Sequence, residues 1–395
     1  MRILYGSGNI LVSQKMGGGA SSQIIGFTSA LEKAGHQVDL DISGEERLYP
    51  QVRTSSWMGW IRTKLPISWL AYESLQIYNN RNIRKRLDQL DLSSYDLLWQ
   101  RYELFTTAYA ECAHRAGLPI VLFVDAPLII ERQTYNHLWL KNRAIRSLRE
   151  NARLSDLVIA VSEQIADYVR EFTADSNFPV MILPNGYSDH INEVDPNDVW
   201  ELRQRYFGDS KGRIIGFVGS PMAWHRLDYL IRVIHRLTQM RNDFRALIVG
   251  DGPDLPNQIK LVDELLLNNV VKFTGRIPFK DIGPYLHAID IGVMPDSNLY
   301  GSPMKITEYM ACEAVVIAPD LPPISALCTN EVEGLLFPKD DVDGLYRQIN
   351  RLLDDPEKLE AIRRRAKERA LRFYSWQARI TQLEDMLKGI VKQPN

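Results

Sequence analysis

The sequence is poor in cysteine and in long apolar runs. Its three cysteines, Cys112, Cys312 and Cys328, cannot all pair, and none of their spacings matches a metal site. This scarcity favours a reducing compartment. No apolar stretch reaches the length of a membrane span, and the opening "MRILYGSGNI" turns to glycine too soon for a secretory signal peptide. We therefore expect a cytoplasmic protein.

Net charge is also nearly absent. The 47 Lys and Arg residues are balanced by 49 Asp and Glu residues, which gives a formal charge of −2. A protein dedicated to nucleic-acid binding usually carries a strongly basic domain, so that class is excluded. The 395 residues exceed what a single core normally holds, and two domains are expected.

Apolar strand-like stretches alternate with helical patterns along the whole chain. "RILYGS" precedes a glycine-rich loop, a helix from about Gln23 to Lys33 and a second strand, and a long helix is expected from about Tyr135 to Leu154. The alternation restarts at "RIIGFVGS", after the Pro- and Asn-rich stretch "LPNGYSDHINEVDPND". The pattern predicts an α/β protein with two Rossmann-like, doubly wound domains that meet near residue 190.

Two glycine clusters follow the first strand. Gly6 and Gly8 lack the rest of a dinucleotide fingerprint, since Leu11 stands where the third glycine belongs, and we interpret the pair as a tight turn. In "MGGGASS", Gly18 and Gly19 precede a helix, so backbone N–H groups could receive an anion there. A mobile surface loop is the alternative interpretation.

The second half holds a denser set of motifs. "FVGS", "VGDGP" (249–253) and "FTGRIP" (273–278) each end a strand, while "WHR" (224–226) and "SPMKITEYMACEAVVIAP" (302–319) each open a helix. In a parallel sheet these positions share one edge, where α/β proteins bind ligands. We therefore predict a single ligand site built from these loops.

This ordered series resembles the donor-binding half of the GT-B glycosyltransferases, and specifically the large retaining family 4 (glycosyl transferases group 1). "VLFVDAP" and "ILPNG" are similar to the other half of that family. The resemblance implies two Rossmann-like domains that face a central cleft. Residues 1–190 would take the acceptor, residues 191–375 would bind a nucleotide-sugar, and the C-terminal helix, 376–395, would pack back on the first domain.

The resemblance also assigns roles to residues. Glu308 would accept hydrogen bonds from the ribose hydroxyls, Lys305 would contact the diphosphate, and the backbone at Arg276 and Ile277 would recognise the base. The diphosphate would also meet the N–H groups of Gly18, Gly19 and the helix that follows Pro303. The other donor contacts implied are Gly250, Tyr300, Gly301 and Ser302.

The sequence departs from the family pattern at three donor positions. Ser220 and His225 stand where the family commonly has Arg and Lys to neutralise phosphate, and Tyr300 stands in place of the first of two glutamates. Arg226 and Lys305 could supply the missing charge, because a leaving phosphate must be neutralised. We expect a phosphate contact at His225.

Asp125 corresponds to a histidine that many members carry in the first domain. The family is thought to retain anomeric configuration by a front-face route in which the leaving phosphate helps to deprotonate the acceptor. Asp125 would then position the sugar or the acceptor hydroxyl. Aspartate is also a common helix cap, and this remains the alternative interpretation.

The sequence and the resemblance together predict transfer of a hexose from a UDP-sugar, with UDP-glucose as the expected donor. The acceptor would be a saccharide or lipid-linked saccharide of an envelope or exopolysaccharide, and neither a cofactor nor a metal is expected. Three alternatives stay open: a GDP-sugar-dependent transferase of the same fold, a UDP-N-acetylglucosamine 2-epimerase, and a non-catalytic scaffold that binds nucleotide-sugars.

Residues 53–86 combine aromatic residues with a basic cluster. Such a mixture is typical of peripheral contact with an anionic membrane, here the inner membrane surface, where a lipid-linked acceptor would lie. The alternative is a helical part of the acceptor domain that buries its aromatic residues.

Overall fold

The computed structural model describes residues 1–12, 18–45, 66–208 and 212–391. The chain divides into two compact units. The first unit comprises Met1–Pro184 together with the residues from Ile380 onward, and the second comprises Asn185–Arg379. From the sequence, the first domain was expected to end at residue 190 and the second at residue 375.

The first unit is a parallel six-stranded sheet with the order β2-β1-β3-β4-β5-β6. Its strands are β1 Arg2–Ser7, β2 Gln37–Ile42, β3 Leu97–Arg101, β4 Ile120–Val124, β5 Leu157–Ala160 and β6 Met181–Ile182. Its helices are α1 Gly19–Lys33, α2 Pro66–Leu87, α3 Ala108–Ala116, α4 Leu128–Tyr135, α5 Lys141–Leu154 and α6 Glu163–Thr173.

The second unit repeats the design with the strand order β12-β11-β10-β7-β8-β9. Its strands are β7 Arg213–Val218, β8 Phe244–Val249, β9 Val271–Phe273, β10 Ile291–Val293, β11 Val315–Pro319 and β12 Gly334–Phe337. Its helices are α7 Pro196–Phe207, α8 Leu227–Thr238, α9 Leu255–Glu264, α10 Gly283–His287, α11 Met304–Ala311, α12 Pro322–Ser325, α13 Val342–Asp354 and α14 Pro356–Phe373. A last helix, α15 Trp376–Val391, begins in the second unit and continues into the first.

Apart from β2, β6 and β9, the strands of both sheets are buried on both faces, which explains their nearly continuous apolar sequences. In β7, Ile214 and Val218 join one apolar cluster of the second unit, whereas Ile215 and Phe217 join the other. Side chains alternate between the two faces of a strand, so a single stretch contributes to both clusters. The α/β class with two doubly wound parallel sheets is confirmed.

The helix expected from Tyr135 to Leu154 is wrong, since α4 ends at Tyr135 and α5 begins at Lys141. The break has a tertiary cause. The Glu73 carboxylate on α2 accepts hydrogen bonds from the backbone N–H groups of Trp139 and Leu140, each at 2.9 Å. These groups lie immediately before α5, where a helix leaves N–H groups without intrahelical partners.

The interpretation of Gly6 and Gly8 as a tight turn is also wrong for Gly6. Gly6 lies within β1, and a Cβ atom there would approach the Tyr109 ring to 2.5 Å. Gly8 follows the strand, where a Cβ would lie 2.6 Å from the Thr106 side chain. Close packing therefore accounts for both glycines.

The aromatic and basic segment 53–86 is described only from Pro66, and residues 53–65 of this expectation lie outside the described residues. Within α2, Arg84 is paired with Glu111, and Arg86 contacts Asp41 at 2.8 Å. Two of its cations are thus engaged inside the first unit. Of its described aromatic residues, Trp69 and Tyr72 are half-buried and Tyr78 is exposed, so the burial that the helical alternative expects is only partial. Among the described residues, no helix is long and apolar enough to span a bilayer.

Candidate functional site

The turns at the carboxyl edge of the second sheet are joined by backbone hydrogen bonds. Gly219 N, after β7, donates to Val249 O at 2.9 Å, and Gly250 N, after β8, donates to Gly275 O at 3.0 Å. Gly250 has φ +127°, and a Cβ atom there would lie 2.1 Å from the carbonyl oxygen of Gly219. Only glycine allows this approach. The motif-bearing turns therefore converge as expected.

Lys305 enters this edge from the first turn of α11, which begins after Pro303. Its Nζ lies 4.3 Å from the centre of the Phe217 ring and 3.4 Å from His225 Nε2. Burial lowers the pKa of Lys305 to about 7, while Glu308 opposes that shift. The side chain is thus a cation that releases its proton easily and sits beside the glycine turns.

His225 is held in one tautomer. Its Nδ1 lies 2.9 Å from the Ser220 carbonyl oxygen and donates to it, so Nε2 is the acceptor that faces Lys305. Burial, together with the nearby Lys305 charge, lowers the pKa of His225 to about 3. The ring is therefore neutral and supplies no positive charge for a phosphate. In this respect His225 does not replace the lysine that the family commonly has at this position.

Glu308 lies one helical turn after Lys305 on α11, so the two side chains share a helix face. Burial raises the pKa of Glu308 to about 7, and Lys305 acts in the opposite direction. Among the described residues, none donates a hydrogen bond to this carboxylate. An unengaged carboxylate on an accessible helix face suits a ligand that presents two hydroxyls.

The loop from Tyr300 to Ser302 is held by two asparagines. Asn298 Oδ1 accepts from Gly301 N at 2.6 Å and from Tyr300 N at 3.3 Å. Asn185 donates from its backbone N to Ser302 Oγ and from its side chain to Ser302 O, both at 3.0 Å. The buried Ser302 hydroxyl thus anchors the loop.

Other predicted donor residues lie differently. The Arg226 guanidinium makes two 3.0 Å hydrogen bonds to Asp228 and stacks on Tyr229, so its charge is already paired. Arg276 is exposed on the turn after β9, and Ile277 packs against the core. Lys305 is therefore the half-buried cation beside Gly219, and Arg276 is an exposed cation on the turn that contains Gly275.

An ion pair between a buried carboxylate and an exposed lysine at the same edge was not predicted from the sequence. Asp296 follows β10, and both of its carboxylate oxygens lie 2.5 Å from Lys339 Nζ, which follows β12. Asp296 in "MPDSN" and Lys339 in "FPKDD" each follow a strand closely. Their position at the carboxyl ends of strands was the sequence feature that could have indicated this pair.

In the first unit, Asp125 follows β4 directly. Its Oδ2 accepts a 2.5 Å hydrogen bond from Arg101, the last residue of β3, and both side chains are largely buried. The following helix, α4, has Pro127 at its N-cap and receives no side-chain cap. The capping interpretation is therefore wrong. Within the described chain, the buried atoms Asp125 Oδ1 and Tyr5 Oη have no hydrogen-bond partner.

Gly18 and Gly19 form the beginning of α1. Gly18 has φ +94°, and among the described residues no side chain caps the helix or places an acidic group in its first turn. The first backbone N–H groups of a helix are suited to an anion. Residues 13–17 of the glycine loop lie outside the described residues.

Two family models match the chain, and each covers most of one unit. "Glycosyltransferase Family 4" matches residues 17–190, and "Glycosyl transferases group 1" matches residues 198–369. The class is therefore a glycosyltransferase of the GT-B type.

Curated relatives are similar over part of their length. The chain is 28% identical to alpha-D-kanosaminyltransferase of Streptomyces kanamyceticus over 193 residues, which is 49% of this chain and 48% of that protein. It is 28% identical to 2-deoxystreptamine glucosyltransferase of the same organism over 178 residues, 44% of this chain and 45% of that protein. The chain thus spans about half the length of these relatives.

Solved structures match nearly the whole chain. Anabaena Alr3699/HepE in complex with UDP-glucose has a TM-score of 0.68 at 20% identity, covering 98% of this chain and 100% of that one. Sucrose-phosphate synthase from Thermosynechococcus elongatus has a TM-score of 0.75 at 18% identity, with 99% of each chain covered. These likenesses establish the GT-B fold.

Proposed function

We propose that this chain transfers a hexose, with glucose from UDP-glucose as the first candidate, to a saccharide or lipid-linked saccharide of an envelope or exopolysaccharide. Transfer proceeds with retention and without a metal. The observation that carries the proposal is the pair Lys305 and Glu308, on one face of α11 beside the glycine turns. The HepE complex, which contains UDP-glucose, supports this choice of donor.

The two side chains divide the work of donor binding. Lys305 donates to the diphosphate and offsets the charge that develops on the leaving group. Glu308 accepts hydrogen bonds from the two ribose hydroxyls, a task suited to a carboxylate. His225 directs Lys305 through its neutral Nε2. Two further roles follow from the family resemblance. Gly18 and Gly19 contact the diphosphate, and Asp125 positions the acceptor hydroxyl.

The deciding experiment is release of nucleoside diphosphate from a panel of UDP- and GDP-sugars, with and without EDTA. We expect release from one UDP-hexose, unaffected by EDTA, and loss of release in Glu308→Ala. Asp281→Ala, which changes an exposed carboxylate of the same unit, serves as the control. Binding of UDP without turnover of any sugar, with or without saccharide acceptors, would instead identify a non-catalytic scaffold.

A GDP-sugar donor is the second candidate. A GDP-mannose-dependent mannosyltransferase of Corynebacterium glutamicum is 29% identical over 168 residues, 41% of this chain and 43% of that protein. The same panel separates the two candidates, because release from GDP-mannose alone would replace UDP-glucose as the donor.

A further inference from the structure

A groove of about 820 Å³ opens on the first unit between α2, α3 and α5. Its volume lies within the roughly 300–1,000 Å³ typical of ligand sites. Asn80 on α2, Thr107 and Glu111 at α3, and side chains from the first half of α5 line it. No residue that lines it has a role in the proposed function.

Three cations line this groove without partners. Lys141, Arg143 and Arg146 are exposed on the first turns of α5. In the part of the chain that the structure describes, their side chains make no hydrogen bond or ion pair. Unpaired cations on one wall of a concave surface create a positive potential, which a low-dielectric wall strengthens.

The two carboxylates of the groove do not cancel this charge. Glu111 is paired with Arg84 and also accepts from Thr107 Oγ1 at 2.5 Å. Glu150 is paired with Arg153 at 2.9 Å. Each carboxylate is therefore neutralised by an arginine that does not line the groove, and the groove as a whole is basic.

Trp139 adds a flat aromatic surface to the lining. Its side chain is 54% exposed, while its backbone is fixed by the hydrogen bond to Glu73. An indole presents an apolar face together with a polar edge, which suits the apolar face of a sugar ring. The exposed Asn142 amide, also in the lining, offers hydrogen bonds to hydroxyls.

The groove begins at the edge of the sheet that carries Asp125. Phe105 and Thr107, which line it, belong to the loop after β3, and the last residue of β3 is Arg101, the partner of Asp125. A saccharide with one hydroxyl at Asp125 would have its neighbouring sugars on this side of the unit.

We propose that the groove binds a carboxylate-bearing sugar of an acidic saccharide, with Arg143 and Arg146 on the carboxylate and Trp139 against the ring. Its assignment as part of the acceptor rests on the proposed transfer function. A bilayer surface is not the occupant we choose, because the cations line a concavity rather than a protruding face.

The test is calorimetric binding of tetragalacturonate and of neutral maltotetraose to the full chain. We expect tetragalacturonate to bind at least tenfold more tightly, a difference of about 1.4 kcal/mol in binding free energy. The double variant Arg143→Gln with Arg146→Gln should lose that difference, because it removes both proposed carboxylate contacts. The control removes two exposed arginines of the second unit, Arg232→Gln with Arg364→Gln, and should leave both affinities unchanged.

Turnover of nucleotide-sugars by the same proteins separates the two proposals. Turnover of a UDP-sugar combined with equal affinity for the two oligosaccharides would overturn the groove assignment alone. Arginine-dependent binding of tetragalacturonate without turnover of any nucleotide-sugar would leave the groove as a saccharide site and overturn transfer. Arginine-dependent binding to phosphatidylglycerol vesicles, without oligosaccharide binding, would overturn the saccharide assignment in favour of a membrane.

Discussion

Lys305 combines two properties that rarely occur together at a lysine: it is half-buried, and its nearest polar neighbour, His225, is neutral. Burial removes the water that normally stabilises the ammonium group, and the imidazole Nε2 at 3.4 Å offers only a weak replacement. A diphosphate would supply the missing counter-charge. Donor binding should therefore be coupled to the protonation of this side chain.

The coupling predicts the pH dependence of UDP affinity. In the free protein the pKa of Lys305 is about 7, and a bound diphosphate raises it, so UDP binds best to the protonated form. Affinity should fall as the pH rises from 7 to 9, where the phosphate is already fully ionised. Calorimetry should show this fall in the wild type and in Lys260→Met but a nearly flat profile in Lys305→Met. A flat wild-type profile would contradict the coupling.

Asp125 provides a second prediction at the residue scale. Asp125→Asn keeps the shape of the side chain and an acceptor for Arg101, so UDP affinity should stay within about twofold. Transfer should fall by about 10²–10⁴-fold if this carboxylate handles the acceptor hydroxyl. Asp88→Asn, an exposed carboxylate paired with Arg115, is the control. Unfolding of Asp125→Asn would show that the Arg101 pair is structural.

Among the elements, the turns after β7 and β8 depend on glycine. Gly250→Ala combines a positive φ with a collision against Gly219 O, whereas Gly275→Ala has φ +68° and open space around its Cβ. We expect Gly250→Ala to lower the free energy of unfolding by about 2–6 kcal/mol, because backbone strain and the collision add, and to weaken UDP binding. Gly275→Ala meets only the left-handed backbone and should cost about 1–2 kcal/mol. Equal costs in denaturant titrations would show that the contact between the turns is unimportant.

The start of β10 is held by a cluster of arginines from three other elements. Asp290 accepts hydrogen bonds from Arg203 on α7 at 2.7 Å, from Arg213 on β7 at 3.1 Å and from Arg363 on α14 at 3.2 Å. Removing a buried ion-pair partner typically costs about 3–5 kcal/mol, and Asp290→Ala should lose an amount near that range. Asp281→Ala should change the unfolding free energy by less than about 0.5 kcal/mol. Similar unfolding curves for the two variants would refute this role.

For the whole molecule, each unit has its own sheet and its own apolar core. Calorimetry should therefore show two unfolding transitions, and the Asp290→Ala variant should identify the one that belongs to the second unit. UDP at a hundred times its Kd should stabilise that transition by about 2.7 kcal/mol, and a shift of the first unit's transition as well would report the proposed contacts at Gly18 and Gly19. An unshifted second-unit transition would contradict donor binding at Lys305 and Glu308.

Much of this architecture was predictable from the sequence. The alternation of apolar strands and amphipathic helices determined two doubly wound α/β units, because strand and helix periods are local properties of the chain. The positions of Lys305 and Glu308 beside the glycine turns were also predictable, since parallel strands bring their carboxyl ends to one edge. The expectation that Lys305 and Glu308 serve a nucleotide-sugar stays a prediction.

Contacts between distant parts of the chain decided the rest. Glu73 ends the expected long helix by taking the N–H groups of two residues 66 and 67 positions away. Nearer along the chain, Asp228 pairs with Arg226, which the sequence had offered to a phosphate. Burial and the charge of Lys305, 80 positions away, keep His225 neutral. The sequence by itself determined the order of elements and the edge where the motifs meet. The tertiary structure alone decided which charges stay available to a ligand, because burial and pairing depend on neighbours that the linear order does not reveal.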